Sequence, residues 1–285
     1  MKPLYLSLLI FSCTSPDSPS SPEPSVAPAT PVAYVDPTGR TIATRFPTPE
    51  GYVRTSFSEG SFPHFLRHQP LKPHGTKVHL FSGLEKSNQL AHAAVLDVDV
   101  ENRDLQQCAD AIMRLRAEYL YTIKQYDDIH FNFVSGFNAE YRRWRKGERI
   151  RVKGNKVSWV AGQSASTDYA SFRKYLTMVF SYAGTASLAK ELQPKSLALI
   201  EIGDVFIRGG FPGHAVIVVD KITNTVTGEV QVLLAQSYMP AQDIHVLSNP
   251  IHRGDNPWYS IQDMQEVVHT AEYTFQPDEL KAFVK

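Results

Sequence analysis

The sequence is short of cysteine, of net charge and of long apolar runs. Two cysteines, Cys13 and Cys108, cannot build a disulfide framework. Lys and Arg total 29 and Asp and Glu total 29, so the formal charge is zero. A chain so balanced carries no global field for nucleic acid. No Gly-x-Ser-x-Gly elbow and no phosphate-cradling Gly-Lys loop occurs, leaving serine-hydrolase and nucleotide readings without support. No internal repeat of solenoid period is present. With 285 residues, 42% of them hydrophobic, the chain holds enough apolar material for one large core or two small ones.

The first residues speak to compartment. Met1-Lys2 is a short basic start, and Leu4 to Phe11 is an apolar run too short to span a bilayer but suited to a signal-peptide core. Ile10-Phe11-Ser12-Cys13 resembles the lipobox of bacterial lipoproteins, which implies removal of residues 1–12 and lipidation of Cys13. An ordinary signal peptide with an incidental cysteine is the plainer alternative. Thr14 to Pro31 is almost all Ser, Thr, Pro, Ala and acid, so residues 13–32 read as an extended tether. Thr14, where an inner-membrane retention signal would carry Asp, resembles the outer-membrane sorting pattern. The expected partner at this end is therefore a membrane, reached through an N-terminal lipid.

Residues 33–285 read as a single α+β domain. Residues 45–90 are loop-rich, with Pro47, Pro49, Pro63, Pro70 and Pro73 interrupting any long helix. Ala91 to Val100 alternates as a strand. Asp104 followed by Gln107 suggests a capped helix carrying Leu105, Cys108, Ile112, Leu115 and Tyr119 on one face. Ile129 to Val134 reads as a strand, and Tyr141 to Trp159 as a short helix leading into a strand. Asp168 caps a helix over Tyr169 to Tyr182, and Thr185 caps another over Ala186 to Leu192. Then Asp204 to Ile207, His214 to Asp220 and Val230 to Ser237 are Val- and Ile-rich strands, the last two joined by the turn Asn224 to Gly228. The tail suggests a strand at Ala271 to Phe275 and a helix capped by Asp278. Helices first and an antiparallel sheet after them is an α+β order.

One constellation suits nucleophilic chemistry. Cys108 lies near the start of a predicted helix, where the dipole and free N–H groups favour a thiolate. His214 heads a strand after Gly209-Gly210-Phe211-Pro212-Gly213, a run that keeps the approach open. Gln236 or Ser237 on the following strand has the chemistry to orient its ring. Asp220 belongs at the far end of the histidine strand, roughly 20 Å away. The bland alternatives are a core cysteine beside Leu105 and Ile112, and a strand-end Gln that is simply a satisfied polar group.

Ile202-Gly203-Asp204-Val205-Phe206-Ile207 with Gly213-His214-Ala215-Val216-Ile217-Val218 resembles the Gly-Asp and histidine strands of NlpC-type, papain-like cell-wall peptidases and amidases. The resemblance implies a papain-like core around residues 91–275, with Cys108 as nucleophile, His214 as base and Gln236 as orienter. It further implies amide cleavage in peptidoglycan peptides, or related acyl transfer, without a cofactor. The folded region also resembles an uncharacterised bacterial lipoprotein family, domain-of-unknown-function 4846, through Arg103 to Asp110, Gly203 to Asp220 and Leu234 to Gln242.

Substrate contacts are expected from Ser237 and Tyr238, and from Arg143 and Trp144. These last two sit in a basic stretch from Arg142 to Lys156 suited to a carboxylate or an anionic envelope polymer. A solvated basic face is the commoner meaning. His64-Phe65-Leu66-Arg67-His68 has metal-helix spacing but lacks the glutamate of a zinc peptidase, so no metal is expected. The leading expectation is an exported lipoprotein and cysteine amidase or peptidase of the cell envelope. The alternative is a non-catalytic module of the same fold that binds an envelope glycan or peptide.

Overall fold

The computed structural model describes residue 1, residues 33–252 and residues 255–284. The expected signal segment beyond Met1, the Cys13 lipidation site and the tether lie outside the described residues. The fold is mixed α+β around a mainly antiparallel sheet, and one buried core runs from Ile42 to Leu280.

Nine strands make the main sheet: β1 (Tyr52–Arg54), β2 (His92–Val95), β3 (Gln193–Pro194), β4 (Val205–Arg208), β5 (His214–Asn224), β6 (Val230–Gln236), β7 (His245–Leu247), β8 (Tyr259–Ser260) and β9 (Leu280–Ala282). Their order is β2-β7-β6-β5-β4-β9-β3, with β1 paired to the end of β5 and β8 to the start of β6. Every pairing is antiparallel. β5 and β6 form the expected hairpin. In its turn, Asn224 Oδ1 accepts the N–H groups of Val226 and Thr227 at 2.9 and 3.0 Å, and Gly228 takes the positive φ of 74°.

Every residue of β5 from His214 to Asp220 is buried, so the strand is covered on both faces and its continuous Val/Ile run follows. Helices α1 (Ile42–Arg45), α2 (Phe62–Arg67) and α3 (Cys108–Thr122) all pack against it. Pro63 is tolerated in α2 because it sits in the first turn, where its missing N–H would have no partner. Asp220, fully buried, accepts Arg54 Nε at 2.8 Å and Arg67 Nε at 2.7 Å. That ion triad ties β1 and α2 to β5 six residues beyond His214, within a strand that runs on to Asn224.

Further helices are α4 (Tyr141–Trp144), α5 (Tyr169–Tyr182) and α6 (Thr185–Glu191). Asp168 caps α5 as expected, its Oδ1 accepting Ser171 N–H at 2.6 Å, and Phe172, Tyr175, Leu176 and Val179 enter the core. After α4 comes a hairpin, Glu148–Lys153 with Lys156–Ala161, rather than a single strand. Two predicted caps are corrected. α6 starts from Gly184, because the Thr185 hydroxyl donates to Gly210 O at 3.3 Å and so serves the neighbouring loop. The tail forms only a 3-10 turn, Pro277–Glu279, capped by Glu279 accepting Gln276 N–H at 2.7 Å, and not a helix on Asp278.

Candidate functional site

The start of α3 decides where the thiol lies. Asp104 does not cap it: Oδ1 accepts Ala241 N–H at 2.7 Å and Gln107 Nε2 at 3.0 Å, which ties the carboxylate to the loop after β6. Gln107 N–H instead donates to Asp110 Oδ2 at 3.1 Å, and the first helical bond runs from Ala111 N–H to Gln107 O at 2.9 Å. Cys108 is therefore the first residue of the helix rather than its fourth. The N–H groups of Ala109, of Ala215 on β5 and of Cys108 itself favour the thiolate. Burial nevertheless dominates, with Asp110 adding to it, and the thiol is pushed up to about 11. The resting group is a neutral thiol.

His214 opens β5, opposite Arg208. Its ring lies among Tyr238, Tyr273 and Phe275, with centroids at 4.6, 5.0 and 5.9 Å. Burial in this aromatic surround pulls the imidazole down to about 4, so it too is neutral. Ala235 pairs with Ile217, which puts Gln236 one step on and diagonal to His214, within reach of a long side chain. Gln236 Oε1 lies 2.7 Å from His214 Nε2. Behind it, Gln236 Nε2 donates to Glu272 Oε2 at 2.8 Å and lies 3.3 Å from His245 Nε2. Glu272 is ion-paired to Lys86 and also accepts Asn88 Nδ2 at 3.2 Å.

Cys108 and His214 line one cleft of 370 Å³, together with Asp110, Phe211, Tyr238 and Tyr273. One wall is Gly210 to Gly213, in the run expected to keep the approach open. A Cβ on Gly213 would stand 2.4 Å from Gly210 O and 2.5 Å from Thr185 Oγ1. A larger cavity of 470 Å³ beside His74 and His92 shares no residue with this cleft.

The remaining expected site residues divide. Tyr238 lines the cleft. Ser237 does not: it is fully buried, with Oγ 3.0 Å from Gln106 O and 2.9 Å from Gln242 O, so its hydroxyl joins the β6 end to the segment before α3. Arg143 and Trp144 are absent from the cleft as well. Arg143 pairs with Glu148 and lies 4.8 Å over the Trp159 ring, while buried Trp144 donates to Ser171 O at 3.1 Å. Glu140, Glu148 and the faces of Trp144 and Trp159 take up Arg142, Arg143 and Arg149, while Arg151, Lys153 and Lys156 are exposed on the hairpin. The His64 and His68 rings lie tilted at 4.0 Å, at the start of α2 and just past its end, but among the described residues no group of three His, Cys, Asp or Glu could hold a metal. Glu272 and Lys86 were not foreseen; one lies in the tail and the other in the proline-rich region, and neither belongs to a motif. Asp110 was legible in principle as the acid three residues after Gln107.

Among the described residues no helix is long and apolar enough to cross a membrane. A family model described as "Domain of unknown function (4846)" matches residues 42–282, and the chain belongs to that family. No curated protein and no solved structure matches it.

Proposed function

We propose that this chain, a member of a family of unknown function, is a papain-like, NlpC-type cysteine amidase or peptidase acting on cell-envelope peptides, held at the envelope by a lipid on Cys13. One observation carries the reading: a helix-first cysteine and a strand-first histidine, 106 positions apart in sequence, line the same cleft, with Gln236 on the ring.

The chemistry follows from the groups present. Cys108 Sγ attacks the amide carbonyl while its proton passes to His214 Nδ1, the ring nitrogen Gln236 leaves free. The developing oxyanion is received by N–H groups at the start of α3, where no backbone partner competes for them. His214 returns the proton to the departing nitrogen, the C–N bond breaks, and a thioester on Cys108 remains. Water, deprotonated by His214, then attacks the thioester carbonyl. The C–S bond breaks, the thiol regains its proton and a carboxylic acid leaves. Because thiol and imidazole are both neutral at rest, proton transfer accompanies attack rather than preceding it.

Incubating purified peptidoglycan with wild type and with Cys108→Ala, followed by mass spectrometry of the released peptides, tests this. New amine and carboxyl ends from wild type alone are expected, and identical product profiles remove the proposed chemistry. The neutral thiol also favours a second reading, a non-catalytic module that holds an envelope peptide or glycan in the cleft. In that case wild type and Cys108→Ala bind the polymer equally and neither alters it. The anchor is tested separately: Cys13→Ser abolishes incorporation of labelled palmitate, and persistent labelling rejects Cys13 as the lipid site.

A further inference from the structure

The hydrogen-bond chain behind His214 has a direction, and that direction is set away from the thiol. Glu272 accepts from Lys86 and, at 2.8 Å, from Gln236 Nε2; an ionised carboxylate has no hydrogen to offer, so the amide must present its NH2 side. His245 Nδ1 lies 2.9 Å from Asp243 O. A carbonyl only accepts, so Nδ1 carries the hydrogen and Nε2 keeps the lone pair, ready for the second amide hydrogen at 3.3 Å. With both hydrogens engaged, Gln236 turns Oε1 toward His214 at 2.7 Å, and an acceptor there requires a hydrogen on His214 Nε2. A neutral imidazole has one N–H, which leaves Nδ1 as its basic atom.

We propose that Glu272, held by Lys86, is a positioning residue that acts through Gln236 to fix His214 in the Nε2–H tautomer. Neither Glu272 nor Lys86 lines the cleft. Rotating the Gln236 amide by half a turn would set its oxygen against the Glu272 carboxylate, acceptor facing acceptor. Little water is at hand to relieve that, since the side chains of Lys86 and Glu272 are 7% and 13% exposed. The catalytic consequence rests on the amidase reading given above; the tautomer itself does not.

The test is nitrogen-15 NMR of the imidazoles in the full chain, comparing wild type with Lys86→Met/Glu272→Gln, which removes both charges together. An amide at position 272 can donate as well as accept, so Gln236 is no longer forced to one orientation. Wild type is expected to give His214 as a single Nε2–H species, and the double variant a mixture of tautomers. On a turned-over peptide amide, kcat falls about 10- to 100-fold in the variant with KM unchanged. A wild-type His214 in the Nδ1–H form, or a variant that keeps the pure Nε2–H form, overturns the proposal. If the double variant does not fold, Glu272→Gln alone gives the same reading. Should Cys108→Ala leave turnover unaltered, the amidase reading falls, while the tautomer spectra still decide the role of Glu272.

Discussion

Alkylation of Cys108 as a function of pH separates a buried neutral thiol from a preformed thiolate–imidazolium pair. With the thiol at about 11, the thiolate fraction at pH 7 is about one in ten thousand. A free cysteine near 8.5 has a few per cent, so Cys108 offers about 300-fold fewer thiolates. A more basic thiolate is also the better nucleophile, and a Brønsted coefficient of about 0.4–0.5 returns roughly a factor of ten. Cys108 should therefore react with iodoacetamide about 30-fold more slowly than an unstructured peptide thiol at pH 7, before any shielding by the cleft walls. The logarithm of the pseudo-first-order rate should climb with unit slope from pH 6 to beyond pH 9. A flat plateau through mildly acidic pH would refute the reasoning. It would mean that the N–H groups of Ala109 and Ala215, with a charged His214, outweigh burial.

Two further perturbations test the surroundings of the site. Burial holds the Asp110 carboxyl well above its ordinary range, and Oδ1 has no hydrogen-bond partner among the described residues. Its contribution to stability is therefore fully present below the ordinary carboxylate pKa and is lost as pH rises through the raised folded value. Asp110→Asn should match wild type in thermal stability near pH 4 and exceed it increasingly toward pH 7, and a difference independent of pH would contradict the assignment. Asp220→Ala strands two guanidinium groups beside the middle of β5 and should cost about 3–5 kcal/mol in urea unfolding, where a loss under about 1 kcal/mol would show the triad to be weak.

Much of this fold was legible because its signals are local. The Asp168 cap and the Phe172, Leu176 and Val179 spacing define α5 without outside help, and the Val- and Ile-rich runs define β5 and β6. Errors came where a tertiary partner took over a local group. Asp104 and Gln107 look like a capping pair, but Ala241, 137 positions away, takes the Asp104 carboxylate and moves the helix start to Cys108. That shift improves the position of the thiol at the helix N-terminus. In the same way Arg143 and Trp144 look like a ligand site until Glu148 and Ser171 take up their polar groups. Glu272 could not be found at all, since its meaning lies only in reaching Gln236 from a segment 36 residues downstream. Of the candidate site, Cys108, His214 and Tyr238 line one cleft, buried Gln236 holds the His214 ring, and Ser237 is diverted to hold the chain around it.

The most direct measurement is interception of a covalent intermediate. An activated acyl ester mixed rapidly with the full chain should release its leaving group in a stoichiometric burst, and digestion should locate the acyl group on the peptide containing Cys108. The burst should vanish in Cys108→Ala and slow in His214→Ala. Acyl label on other residues only, or a burst indifferent to both substitutions, would mean that the sulfur and imidazole sharing this cleft do not act as nucleophile and base.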